Sequence, residues 1–179
     1  MTERVLVVTD VQEGFTRSGN LASPEMTEAI PRVRRIVEEE MARGTPVIFT
    51  KDSHVPDDLE FRIFPPHCIV GTEEHALVPE LRELEDRAEA VIHKRRYSAF
   101  FETELESVLK KLDPDEVHII GFCTDICVLH TAADLRNRDF DVVVRRGAVE
   151  TFNAPGHDNR EVNRWALAHI KNVLGAKVV

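Results

Sequence analysis

The stretch Val117-His118-Ile119-Ile120-Gly121-Phe122-Cys123-Thr124-Asp125-Ile126-Cys127-Val128 decides how this chain is read. It begins as an apolar, β-branched run, passes a glycine and opens an amphipathic segment ending near Arg138. That order is a strand, a tight turn and a helix. With Thr124 as N-cap, Cys127 takes the third helical position, where backbone N–H groups lack intrahelical partners. The positive end of the helix dipole is then expected to lower the thiol pKa, and a thiolate is a nucleophile. The segment is a candidate active-site loop, so the rest of the chain must supply partners for the sulfur.

Working outward, strand-like and helical patterns alternate. Apolar runs predict strands at 4–9, 46–50, 90–94, 116–121 and 141–145, with a short last strand at 176–179. Met26, Ile30, Val33, Ile36, Val37 and Met41 recur at helical spacing, and Pro31 suggests that the regular helix starts there. Further helices are expected at 79–87, 102–112, 124–138 and 160–174, the last with Trp165, Val162, Ile170 and Val173 as core packing. Residues 51–77 form a long connection rich in Asp, His and Pro, a length that usually marks function. Strands separated by helices give right-handed βαβ crossovers. The expected fold is α/β: three αβα layers around a doubly wound, mostly parallel sheet of about six strands. One domain over residues 1–179 is expected, with no repeat or linker.

Composition narrows the partners. A net charge of −9 argues against nucleic acid or an anionic membrane surface. No apolar run approaches the about 20 residues of a membrane span, and Glu3 and Arg4 lead straight into a strand instead of a leader. The odd set of three cysteines has no disulfide framework and suits a reducing compartment. A cytoplasmic protein acting on a small molecule is the expectation.

In doubly wound folds the site lies outside the carboxyl ends of the strands. Asp10 ends the first strand, Lys94 the third, and Cys127 follows the fourth. A carboxylate at the end of a buried strand is partly desolvated, which raises its pKa towards that of a useful base, although Asp10 could instead be a cap. An ammonium at Lys94 would hold the charges of the thiolate and carboxylate; Arg95 and Arg96 read as a solvated basic patch. Asp52-Ser53-His54 places two ligands on one side of an extended segment, with His67 downstream and Glu60 as a further ligand or a surface acid. Carboxylate plus imidazole suits one divalent metal, Zn²⁺, Fe²⁺ or Mn²⁺, but two histidines in a polar loop can also be merely solvated. Cys68 reads as a packed free thiol. Cys123 and Cys127 are spaced C-x-x-x-C, so they are not a C-x-x-C redox pair.

Three groups of residues together resemble the isochorismatase-like cysteine hydrolases: Asp10 with Gln12 and Phe15, Lys94 with Tyr97-Ser98-Ala99-Phe100, and Gly121-x-x-Thr124-Asp125-x-Cys127-Val128. Asp52-x-His54 and Phe64-Pro65-Pro66-His67-x-x-x-Gly71-Thr72 are similar to the nicotinamidase branch, and the likeness runs over nearly the whole chain. The resemblance implies a catalytic triad of Asp10, Lys94 and Cys127. It implies a metal, zinc first and iron or manganese next, on Asp52, His54 and His67, with Glu60 in the place of a glutamate that joins them in some relatives. It also implies a cis peptide before Cys123, an oxyanion hole from the backbone N–H groups of Cys123 and Cys127, and ring packing by Phe15, Phe64 and Tyr97. The implied reaction is nicotinamide, or a similar aromatic amide, to the acid and ammonia in NAD salvage, by a homo-oligomer. Rival expectations are another small-amide hydrolase of the family, a non-catalytic binding module on the same fold, and a redox or zinc sensor using Cys123 and Cys127.

Overall fold

Val5, Leu6, Val7 and Val8 lie at the centre of strand β1 (Thr2–Thr9) and are all fully buried. A computed structural model describes residues 2–179. Side chains alternate across a strand, so β1 feeds two cores. Leu6 and Val8 pack with Phe49, Ile120, Ile30, Val33 and Val37. Val5 and Val7 pack with Ile48, Ile119, Leu105, Leu109 and Leu135. Burying one such aliphatic side chain stabilises the fold by about 1.5–3 kcal/mol, and the two-sided cover explains why the strand reads as a continuous apolar run.

The other strands are β2 (Val47–Asp52), β3 (Ala90–Lys94), β4 (Pro114–Phe122), β5 (Val142–Glu150) and β6 (Lys177–Val178). They form one parallel sheet of six strands in the order β3-β2-β1-β4-β5-β6. A short helix α1 (Glu13–Thr16) follows β1; helices α2 (Pro24–Ala42) and α3 (Pro79–Glu85) contribute to the first core, and α4 (Leu105–Leu112), α5 (Leu129–Arg136) and α6 (Asn159–Asn172) to the second. This is the doubly wound arrangement expected from the sequence. The winding reverses between β1 and β4, so a crevice opens at the carboxyl ends of those two strands. Their approach there is close. Gly121 has φ +109° and pairs with Thr9, and a Cβ on it would lie 2.1 Å from the Thr9 carbonyl oxygen.

Three local expectations are corrected. Helix α2 starts at Pro24, not Pro31: the Ser23 side chain accepts from the Met26 N–H, Pro24 stands in the first turn, and Pro31 is accommodated inside the helix. Strand β5 runs on past Arg145 to Glu150, because a register shift between Ile119 and Gly121 lets it resume pairing with β4 through Val149 and Glu150. Trp165 is not core: it is 59% exposed and stacks on His169, and Val173 is also exposed.

Away from the crevice, the Glu40 side chain near the end of α2 is inaccessible to solvent and takes 2.7 Å contacts from both Arg145 Nη2 and Thr45 Oγ1, with Arg43 Nη1 at 3.0 Å. Burial pushes its carboxyl up, but the Arg145 and Thr45 hydrogen bonds outweigh this and hold it below the ordinary glutamate value.

Candidate active site

Asp10 follows β1 with φ +50°, its N–H donating to the Thr50 carbonyl across to β2 at 3.2 Å. This turn aims a buried carboxylate into the crevice. Its Oδ1 accepts from the Thr50 hydroxyl at 2.6 Å, and its Oδ2 lies 2.7 Å from Lys94 Nζ. Lys94, at the end of β3, is 1% exposed. Its ammonium also contacts Asp52 Oδ1, the Arg96 carbonyl at 3.1 Å and Cys127 Sγ at 3.4 Å. The three residues expected at the strand ends therefore meet around one ammonium.

Their ionisation follows from burial and charge. Burial raises the Asp10 carboxyl above the usual aspartate range, against the pull of Lys94. Burial works to lower Lys94, but Asp10 and Asp52 outweigh it and hold the ammonium protonated. The Cys127 thiol departs from expectation. Thr124–Val128 is a π turn with Cys123, not Thr124, as its N-cap, so Cys127 occupies the fourth position before α5 continues. The thiol is buried there, and burial pushes it up further than Lys94 draws it down. A helix end does not deliver a free thiolate, so a base must take the proton, and Asp10 with its raised pKa is suited to do so. The Phe122–Cys123 peptide is cis, as the resemblance implies.

Beside this group, Asp52 Oδ2 lies 3.7 Å from both His54 Nε2 and His67 Nε2, and Glu60 Oε1 lies 3.8 and 3.9 Å from the same two nitrogens. All four side chains are buried. Four donors around a tetrahedral zinc with bonds of about 2.1 Å stand roughly 3.4 Å apart, so a small contraction admits the ion. The donors are prepared for it. His67 Nδ1 lies 2.8 Å from the Pro65 carbonyl, which leaves Nε2 as the free face. His54 Nε2 has no hydrogen-bond partner among the described residues. Asp52 is held below the aspartate range, because Lys94 and the two histidines outweigh burial. These residues fit one divalent cation, and Glu60, left open as ligand or surface acid, belongs to the cluster.

Several supports were not legible in the sequence. Gln12 clamps the Asp52 backbone, its Nε2 donating to the carbonyl at 2.9 Å and its Oε1 accepting the N–H at 2.7 Å. Asp58 Oδ2 sits 3.1 Å from His54 Nδ1, while its Oδ1 accepts from the Glu60 N–H at 2.9 Å and from Arg96 Nη1 at 2.8 Å. Arg96 is thus an inward partner of the cluster, not part of a solvated patch; Arg95 is exposed and pairs with Glu102. Phe15, Phe64 and Tyr97 line one apolar cavity, as expected, and share it with Leu21, Met26, Ile126 and Phe152; Asp52, Glu60, His67, Cys123 and Cys127 face the same space. Cys68 is fully buried, its Sγ 3.5 Å from the Glu74 carbonyl, and burial raises its thiol.

A six-stranded doubly wound sheet with helices on both faces makes the chain a three-layer α/β protein. The isochorismatase domain model matches residues 4–170. A crystal structure of nicotinamidase PncA from Bacillus subtilis superposes with a TM-score of 0.89 at 36% identity, over 99% of each chain. N-carbamoylsarcosine amidase from Thermoplasma acidophilum superposes at 0.85 with 33% identity, over 99% of this chain and 95% of that one. Pyrazinamidase of Pyrococcus horikoshii, solved in complex with zinc, gives 0.86 and 30%, over 99% and 98%. The chain belongs to the isochorismatase family, and it is a hydrolase whose matched relatives include nicotinamidases and an amidase.

Proposed function

We propose that this protein is a metal-containing cysteine amidase that converts nicotinamide and water to nicotinate and ammonia. The observation that carries the reading is the meeting of Asp10, Asp52 and Cys127 around Lys94, with Asp52 shared by the Asp52/His54/Glu60/His67 cluster and with Cys127, Asp52, Glu60 and His67 lining one aromatic-walled cavity. A planar pyridine ring suits walls made by Phe15, Phe64, Tyr97 and Phe152.

In the proposed reaction the Asp10 carboxylate takes the proton from Cys127 Sγ and becomes a neutral acid, while the Lys94 ammonium stabilises the thiolate that results. The thiolate attacks the amide carbon, and the oxyanion is received by the backbone N–H groups of Cys123 and Cys127, each worth about 3 kcal/mol in other acyl-transfer sites. Asp10 returns the proton to the leaving nitrogen, and ammonia departs. A water molecule, deprotonated by Asp10, then attacks the thioester; nicotinate leaves and the thiol is restored. A divalent ion on the four-residue cluster, zinc by its donor set, would supply a Lewis-acid anchor for a ring nitrogen and polarise water. Within this reading the whole chain acts as one domain, in the cytoplasm and in NAD salvage.

A second reading, hydrolysis of an N-carbamoyl amino acid, is favoured by the likeness to the Thermoplasma acidophilum amidase. The cavity speaks against it: its lining includes the carboxylates Asp52 and Glu60 and no lysine or arginine to receive a substrate carboxylate. Ammonia release from nicotinamide and from N-carbamoylsarcosine, measured side by side on zinc-loaded protein, decides. Release from nicotinamide alone is expected; release from N-carbamoylsarcosine alone overturns the proposal.

A further inference from the structure

Asp125 stands two residues before Cys127 in the π turn and has no role in the chemistry above. Its Oδ2 lies 3.0 Å from His157 Nε2, and its buried Oδ1 has no hydrogen-bond partner among the described residues. His157 Nδ1 lies 2.9 Å from the Phe152 carbonyl, and its ring stacks on Phe152 at 4.2 Å between centroids and 3° between planes. The turn that carries it is closed by reciprocal backbone bonds between Ala154 and His157, at 3.0 and 2.8 Å. Phe152 is a wall of the cavity that holds Cys127.

Both ring nitrogens of His157 face groups that only accept: a peptide carbonyl and a carboxylate. A neutral imidazole has one N–H and can satisfy one of them; an imidazolium satisfies both. We infer that His157 is a positioning residue that fastens the Phe152 wall to the nucleophile turn only while it is protonated, so that affinity for the ring of the substrate falls as pH rises. This rests on the cavity being the substrate site proposed above. Burial works to lower the His157 pKa, but the Asp125 and Phe152 bonds outweigh it and hold it above the ordinary histidine value. The clamp is therefore complete below the ordinary histidine value and is lost as pH rises through the raised one. Among the described residues His157 has one ion-pair partner, Asp125, which faces it from the π turn; the neighbouring Asp158 carboxylate is turned to the Arg160 and Glu161 N–H groups at the start of α6, and Glu25 of α2 is engaged by Asn153.

The test is steady-state ammonia release from nicotinamide between about pH 6 and about pH 9, on the wild type and on His157→Phe, which keeps an aromatic ring but no donor. In the wild type KM should rise about fivefold across the range, the worth of one hydrogen bond, with kcat following its own profile. In His157→Phe KM should be raised throughout and flat with pH. A wild-type KM independent of pH, or a His157→Phe KM that still rises with pH, overturns the inference. In parallel, the NMR titration of His157 should give a pKa above that of an exposed histidine, and Asp125→Asn should lower it. That readout needs no turnover, so a protein inactive on nicotinamide would refute the proposed function while the clamp stands or falls on the titration: an unshifted His157 refutes it.

Discussion

Asp58 carries the most informative single perturbation. It does not itself line the cavity or offer one of the four candidate ligand atoms, yet it contacts His54 Nδ1, the Glu60 N–H and Arg96. Replacing it with alanine removes the carboxylate oxygen that stands 3.1 Å from the buried His54 Nδ1 and uncaps the short 3-10 turn Leu59–Arg62 that presents Glu60. One hydrogen bond to a charged group is worth about 1.5–3 kcal/mol. At about 1.4 kcal/mol per tenfold, Asp58→Ala should weaken zinc binding about 10- to 150-fold, overlapping the about 10- to 100-fold typical of outer-shell partners of metal-bound histidines. Asp58→Asn keeps an oxygen for His54 and should lose only about tenfold. Competition against a chromogenic chelator measures the affinity directly, and circular dichroism of the metal-free proteins separates ligand misplacement from unfolding. Wild-type zinc affinity in a folded Asp58→Ala protein would refute the reasoning, because His54 would then need no anchor.

Three further predictions follow from other parts of the molecule. Alkylation by a small electrophile should strike Cys127 before Cys68 and Cys123, with a rate that climbs through neutrality; a plateau below about pH 6 would mean a thiolate held down by the helix end, contrary to the burial described here. Glu40→Gln should destabilise the protein at neutral pH by about 3 kcal/mol, the scale of a broken buried ion pair. Since the folded Glu40 pKa is depressed, its contribution is present above the unfolded value and disappears as pH falls through the folded one; urea midpoints whose difference from wild type does not shrink in acid would contradict this. Gly121→Ala puts a methyl group 2.1 Å from the Thr9 carbonyl oxygen at a backbone angle that L residues resist, and should cost about 4 kcal/mol or more; a melting temperature equal to wild type would show that β1 and β4 do not approach as described.

The strands were legible because a parallel sheet covered on both faces imposes apolar runs such as Val5–Val8 and Val117–Ile120. Asp10, Lys94 and Cys127 were legible because they stand where those runs stop. Strand order was not, since nothing local to β3 says that it lies at an edge beside β2. The start of α2 is not legible locally, because Pro31 is a stronger signal than Ser23-Pro24, although packing of Ala29, Ile30 and Val33 on the sheet overrides it. The roles of Asp58 and Arg96 depend on a contact 38 residues apart in sequence. The ionisation of the Cys127 thiol is not legible in the sequence, because its position in the helix is local, whereas its burial depends on elements far along the chain.

The central claim is that Cys127, deprotonated by Asp10, is the nucleophile of an amidase. The most direct test is ammonia release from nicotinamide by zinc-loaded wild type, Cys127→Ala and Asp10→Asn, with zinc content and circular dichroism matched. The account predicts release by the wild type and a loss of about 10³-fold or more in each variant. Release by Cys127→Ala at a rate near that of the wild type would contradict it.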